Sequence, residues 1–210
     1  MKNNEEVNVD YWDNGNKKVE THYKNGKPDG LTTGWYESGK NKIKIHYKNG
    51  ERDGLVTTWW ENGVKSGETH YTNGKNEGLE TTWSRNSIKR SEIPYKNGKR
   101  EGLSIRHFAD GNKKSHGKFR KGNQVGTHLG WWPNGQIRSE QYFNDGLLSG
   151  EVKEWFVNGQ LAVLNHFSNG RQDGLQQGWR NDGDLRFKYT YINGKRYGFM
   201  GSSLCMSPYQ

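Results

Sequence analysis

His22, His46, His70 and His166 stand in one column of a repeating sequence, and a histidine column is the first place to look for a metal site. Pro94, Lys118, Tyr142 and Thr190 fill the other positions of that column. Imidazoles that share a zinc ion must each come within about 2.1 Å of it. Equivalent residues of successive hairpins lie two strands apart, roughly 9.5 Å, so neighbouring histidines cannot easily share an ion and are expected on a solvated face. His107 and Asp110 offer a pair for general-base work, with Ser104 close by. No spacing supplies a third group, and His107 stands where other copies carry Trp, so it reads as a divergent core position. Gly26-Lys27-Pro28-Asp29-Gly30 has a superficial likeness to a phosphate loop. A Walker loop, however, places four residues between its glycines, follows them with Gly-Lys-Ser/Thr and opens a helix. The only cysteine, Cys205, excludes an intrachain disulfide and a cysteine-based metal cluster. The expectation is no enzyme, no cofactor and no resident metal.

The elements that carry these residues follow from a repeat. Tyr23, Tyr47, Tyr71, Tyr95, Phe119, Phe143, Phe167 and Tyr191 recur every 24 residues without insertion or deletion. Each is followed three residues later by Gly, from Gly26 to Gly194, and seven residues later by a second glycine, from Gly30 to Gly198. Twelve residues after the aromatic stand Trp35, Trp59, Trp83, His107, Trp131, Trp155 and Trp179. A strict period of this length marks a repeat architecture.

Every unit holds two turn signals. Asn25-Gly26 and its copies supply two residues tolerant of positive φ, as a type I′ hairpin requires. Glu37-Ser38-Gly39-Lys40 and its copies supply the second, leaving strands of about 5 to 8 residues. Leu31, Thr33 and Trp35 are spaced by two, as are Ile43, Ile45 and Tyr47, which is strand rather than helix spacing. The spacing predicts an all-β fold, an elongated single-layer antiparallel meander of about eight 24-residue hairpins. Its Trp and Tyr columns are expected to stack into an aromatic spine, and about 16 strands at about 4.8 Å would span roughly 75 Å. Residues 1–22 read as an N-terminal half-repeat or cap, 23–198 as the array, and 199–210 as a C-terminal cap or docking tail.

Composition agrees with a thin sheet. Only 29% of the chain is hydrophobic, yet 13% is aromatic, with nine Trp and eleven Tyr. A disordered chain is not built that way. No apolar run approaches the roughly 18 residues of a membrane-spanning helix, and the polar N-terminus makes the cytoplasm the expected location.

The unit Tyr47-Lys48-Asn49-Gly50-Glu51-Arg52-Asp53-Gly54-Leu55 through Trp59-Trp60-Glu61-Asn62-Gly63 resembles the MORN-type repeat. It is similar to the bacterial variant often seen in proteins called YwqK-like antitoxins. The resemblance runs from about residue 11 to residue 198, with a period one or two residues longer than the commonest MORN spacings. It implies a non-catalytic scaffold that binds a protein partner and neutralises a toxin as an antitoxin or immunity protein. MORN-like arrays also serve at membranes, so binding of anionic phospholipid is the alternative.

Two surfaces are candidates for a partner. Tyr36, Trp60, Phe108, Trp132 and Phe156 form a second aromatic column next to the Trp35 column, and exposed aromatics are favoured anchors. Strand alternation is expected to turn this column away from the Trp35 face. Lys24, Lys27, Lys48, Lys75, Lys96 and Lys99 line the Asn-Gly edge, where a row of charge could meet an acidic protein or lipid headgroups. Asp29, Asp53, Glu77, Glu101 and Asp173 lie beside that row and partly cancel it. Nucleic acid ranks below both, because the aromatics do not sit among the lysine-rich turns as base-stacking platforms would.

Overall fold

The computed structural model describes residues 4–198. The expected C-terminal cap or tail, 199–210, lies outside the described residues. The chain divides into two compact units, 1–111 and 112–210. In the first, β1 (Glu5–Tyr11), β2 (Lys17–Lys24), β3 (Lys27–Trp35), β4 (Asn41–Lys48), β5 (Glu51–Trp59), β6 (Lys65–Thr72), β7 (Lys75–Trp83) and β8 (Lys89–Lys96) are followed by a broken strand, β9 (Lys99–Arg100) and β10 (Gly102–His107). The second holds β11 (Lys113–Arg120), β12 (Asn123–Trp131), β13 (Ile137–Asn144), β14 (Leu147–Trp155), β15 (Leu161–Ser168), β16 (Arg171–Trp179), β17 (Leu185–Ile192) and β18 (Lys195–Tyr197). Within each unit consecutive strands pair antiparallel, except that β9 and β10 both pair with β8, giving a single-layer all-β meander that does not close into a barrel.

The turns behave as their residues dictate. Asn25 and Gly26 take φ of 52° and 75°, the double positive pair of a type I′ turn, and Lys24 pairs with Lys27. At the other end Gly39 N–H donates to Tyr36 O and Tyr36 N–H to Lys40 O, both at 2.9 Å, closing a three-residue loop whose last residue, Gly39, has φ 80°. In the fourth copy of that loop Ser87 occupies the left-handed position with φ 61°. Left-handed backbone costs an L-residue about 1–2 kcal/mol, partly offset in Ser by a less flexible unfolded chain. Ser87→Gly is therefore expected to stabilise the protein by about 0.5–1 kcal/mol, read as a higher urea midpoint at unchanged m-value. An unchanged midpoint would mean that the loop carries no such strain.

The second glycine column makes a bulge. Between the pairs Thr21↔Thr32 and Tyr23↔Pro28, β2 contributes His22 alone while β3 contributes Asp29, Gly30 and Leu31. The same count recurs between Ile45↔Val56 and Tyr47↔Arg52. A bulge bends its strand and increases the local twist.

Register overturns the expected aromatic spine. Gly30, Thr32 and Gly34 pair with Tyr47, Ile45 and Ile43, whereas Leu31 and Thr33 pair with His46 and Lys44. The Tyr column therefore shares a face with Thr32 and Gly34, and the Trp35 column lies on the other face with Leu31 and Thr33. The cause is turn length: a two-residue loop sets odd-numbered residues opposite even-numbered ones, and the two extra residues of the bulge preserve that parity. On the Tyr face the buried apolar groups run along the strand centres, with Ile45, Val56 and Ile93 in the first unit and Phe143 and Val152 in the second. On the Trp face lysine ammonium groups lie over the rings: Lys17 over Trp35, Lys65 over Trp83 and Lys113 over Trp131, with Nζ 5.4–5.8 Å from the ring centroids. Such contacts replace the second layer that a single sheet lacks.

His128 occupies the core column of the second unit, edge-on to Phe119 and Phe143 at 5.4 and 4.8 Å between centroids. Its Nε2 lies 2.9 Å from the Lys118 carbonyl, so Nε2 carries the proton, and Nδ1 accepts from Gln124 Nε2 at 3.3 Å. Burial holds its pKa below the usual histidine value, against the opposing pull of the Lys118 carbonyl. On the opposite face burial, then Lys113 and His128, lower that of His116. Because both folded values are depressed, the unfolded chain takes up the protons first, and stability falls as pH drops below about 6.5. His128→Gln, matching Gln176 at the same place in the repeat, is expected to reduce the loss of urea midpoint between pH 7.5 and pH 5. An equal loss in the variant would assign the effect elsewhere.

Candidate functional site

The histidine column is engaged with its own backbone. His46 Nδ1 lies 3.0 Å from Leu55 O and His166 Nδ1 2.8 Å from Leu175 O, so each ring closes over a bulge. His22 Nε2 approaches Glu20 at 3.6 Å, and His166 Nε2 approaches Glu151 at 3.4 Å. Among the described residues no group of three or more His, Cys, Asp or Glu could hold a metal ion. Ser104 and His107 fall on opposite faces of β10 by strand alternation. They do not meet.

The aromatic column Tyr36, Trp60, Phe108, Trp132 and Phe156 sits at the three-residue loops, one residue beyond the strand ends, and every member is half-buried. Its Tyr and Trp members join successive repeats. Tyr36 Oη–H donates to Trp59 O at 2.8 Å, Trp60 Nε1–H to Trp83 O at 3.0 Å and Trp132 Nε1–H to Trp155 O at 2.9 Å. Trp12 Nε1–H does the same to Trp35 O at 3.3 Å. Cations cover the other side of these rings, with Lys42 over Tyr36, Arg85 over Trp60 and Arg138 over Trp132. Asn14, Asn62 and Asn134 add amide bonds to Glu37 O, Arg85 O and Val157 O at 2.8–2.9 Å. The sequence signal for this role was the 24-residue spacing itself, since Trp12, Tyr36, Trp60 and Trp132 each reach the strand end of the following copy.

The acidic column at the Asn-Gly edge is likewise structural. Asp29 accepts from Asn49 N–H at 2.8 Å, Asp53 from Asn73 N–H at 3.1 Å and Glu77 from Asn97 N–H at 2.8 Å. Beside each, a backbone bond links the turns, as from Gly50 N–H to Pro28 O at 2.7 Å and Gly74 N–H to Arg52 O at 2.9 Å. A carboxylate that accepts a backbone N–H group is held in place by it.

The six lysines of the basic edge come together on one face. Glu5 pairs with Lys24, Lys24 with Lys27, Lys48 with Glu51, Thr72 with Lys75 and Lys96 with Lys99, so this row of the first unit holds six lysines and two glutamates. Lys24 lies 3.5 Å from Glu5. Alternation from His22, His46 and His70 puts the row on the Trp and Leu face. There, next to the histidines, Leu55, Leu79 and Leu103 are 41%, 51% and 42% exposed. They occupy the same place in three successive repeats, with Leu55 opposite His70 and Leu79 opposite Pro94. The hydrophobic spacing had assigned the leucine column to an apolar packing face; in the structure Leu55, Leu79 and Leu103 are exposed, while Leu31 is half-buried. Equivalent positions in the second unit carry Thr127, Glu151 and Leu175, so the leucine row belongs to the first unit. Nine-residue strands such as β5 separate the aromatic loops from the basic row by roughly 30 Å. The two candidate surfaces are therefore distinct.

Part of the chain matches a known repeat family. Four segments, 9–25, 28–49, 52–73 and 124–145, match the family model of the MORN repeat variant. Over that part of the chain the match supports a MORN-repeat protein. Each of the three longer segments spans a Leu-bearing strand, the three-residue loop and the following Tyr- or Phe-bearing strand, as β3 and β4 do within 28–49. The same strand-loop-strand form recurs in the copies between and after the matched ones, such as β7 with β8 and β14 with β15. No curated protein matches the chain. No helix of the described residues is long and apolar enough to cross a membrane.

Proposed function

We propose that this chain is a non-catalytic scaffold that binds a protein partner, and that its role is to occlude a toxin as an antitoxin or immunity protein. The observation that carries the binding role is the solvent-exposed leucine row Leu55, Leu79 and Leu103 on a rigid repeat sheet. A regular row of exposed apolar side chains beside charged groups is the composition of an interaction surface. The toxin-neutralising part rests on the resemblance of the repeat to YwqK-like antitoxins. Co-expression with the product of a neighbouring gene is the test. A neighbour that arrests growth alone, is tolerated with this chain and co-purifies with it at fixed stoichiometry supports the reading. A neighbour that is harmless alone counts against the antitoxin role.

A second reading, a peripheral scaffold on anionic lipid, is favoured by the row of six lysines with two glutamates. It requires salt-sensitive binding to phosphatidylserine vesicles that is lost in Lys24→Glu/Lys48→Glu/Lys96→Glu. Binding that ignores salt, or no binding, removes it.

A further inference from the structure

From the geometry of the first unit we infer that the partner docks as one acidic amphipathic segment, helical in form, laid across the strands along Leu55, Leu79 and Leu103. This deepens the scaffold reading and rests on it.

The leucines recur two strands apart, about 9.6 Å. Seven residues of α-helix advance about 10.5 Å, so a helix with apolar residues at heptad spacing can set one on each leucine in turn. An extended segment crossing the strands at a right angle would leave its own N–H and C=O groups without partners against an apolar row. A helix satisfies them internally.

Charge selects the sign of the segment. Along the Asn-Gly side the ladder is bordered by the lysine row, in which Lys48, Lys75, Lys96 and Lys99 make no ion pair among the described residues. On the other side the carboxylates are already matched, Glu68 by Lys65 at 2.5 Å and Glu92 by Lys89 at 2.7 Å. Beside the lysines Asp53 and Glu77 each hold a turn N–H, at 3.1 and 2.8 Å, so the groups left for a segment about 10 Å wide laid on the leucines are these four lysines against Glu51. These lysines form a strip one row wide, bordered by the ion pairs Lys65–Glu68 and Lys89–Glu92, which add no net charge for a broad anionic surface to meet. The geometry therefore favours a narrow acidic polypeptide over a lipid surface.

The test uses the full chain and three labelled 21-residue model peptides: Leu at heptad positions with Glu elsewhere on an Ala background, the same peptide with Lys for Glu, and the acidic peptide with Ser for Leu. Fluorescence anisotropy is expected to show binding of the acidic peptide alone, weakened by salt. The affinity should drop at least tenfold in Leu55→Ser/Leu79→Ser and in Lys48→Glu/Lys96→Glu. Both variants alter exposed side chains, and an unchanged melting temperature shows that each still folds. Equal binding of all three peptides, or no binding by any, overturns the inference. So does binding of phosphatidylserine vesicles in preference to the acidic peptide. A captured stoichiometric partner whose retention is unchanged in both variants leaves the scaffold reading standing and removes this surface.

Discussion

Gly178→Ala is expected to destabilise the protein by about 1–3 kcal/mol, the usual effect of overfilling a packed site. A Cβ on Gly178 would meet the Phe187 ring at 2.3 Å for Cε1 and 2.6 Å for Cζ. Gly178 pairs directly with Phe187 in β16 and β17, and the aromatic fills the space that a side chain at 178 would need. Phe187 also stacks on Tyr189 at 5.4 Å, so its ring cannot turn aside without breaking that contact. The same exchange of volumes recurs in the first unit, where Gly34 faces Ile43 and, with the sizes reversed, Thr58 faces Gly67. The double variant Gly178→Thr/Phe187→Gly copies the Thr58 and Gly67 pair. It is expected to be more stable than the sum of its single variants predicts, a coupling of the kind that neighbouring residues show. Urea unfolding of the four proteins measures it; strict additivity would show that the two positions do not share one volume.

Trp60 is expected to separate into two contributions. Trp60→Phe keeps a ring beneath Arg85 but removes the Nε1–H bond to Trp83 O. That change should cost about 1 kcal/mol, the usual net value of one hydrogen bond. Trp60→Ala also removes the half-buried ring and should cost about 2–3 kcal/mol, below the roughly 3–5 kcal/mol of a fully buried large aromatic because burial is incomplete. Thermal melts of both variants check the order, and equal losses would mean that the hydrogen bond carries the whole effect. The consequence for partner binding is direct. A loss of binding in Trp60→Ala cannot be separated from loosening of the stitch between repeats, whereas the leucine and lysine variants leave that stitch intact.

Much of this molecule was legible in the spacing of its residues. The Asn-Gly pairs could close only two-residue hairpins, since Asn25 and Gly26 both adopt positive φ. Alternation at positions such as Ile43, Ile45 and Tyr47 required strands, and 29% hydrophobic residues left no material for a second layer. The bulge glycines were also readable, because a second glycine column four residues beyond the first has no place in a regular strand.

The candidate site was legible only in pieces. The lysine row was visible as a column, and the leucine column was visible as periodic hydrophobicity, but they were assigned to different surfaces. Periodicity states which residues of one strand share a face. It does not state which face of the neighbouring strand they join, because a shift of one residue in pairing exchanges the two. The pairing of Leu31 with His46, rather than with Ile45 or Tyr47, is what brings the leucines beside the lysines. Likewise, Tyr36 and Trp60 read as exposed anchors until the following repeat supplied the carbonyls of Trp59 and Trp83 as their partners. Local sequence dictated the turns, the strands and the repeat, whose forces act within a few residues. Strand register and the bonds between repeats, made across more than twenty residues of chain, decided which side chains became structure and which were left facing solvent.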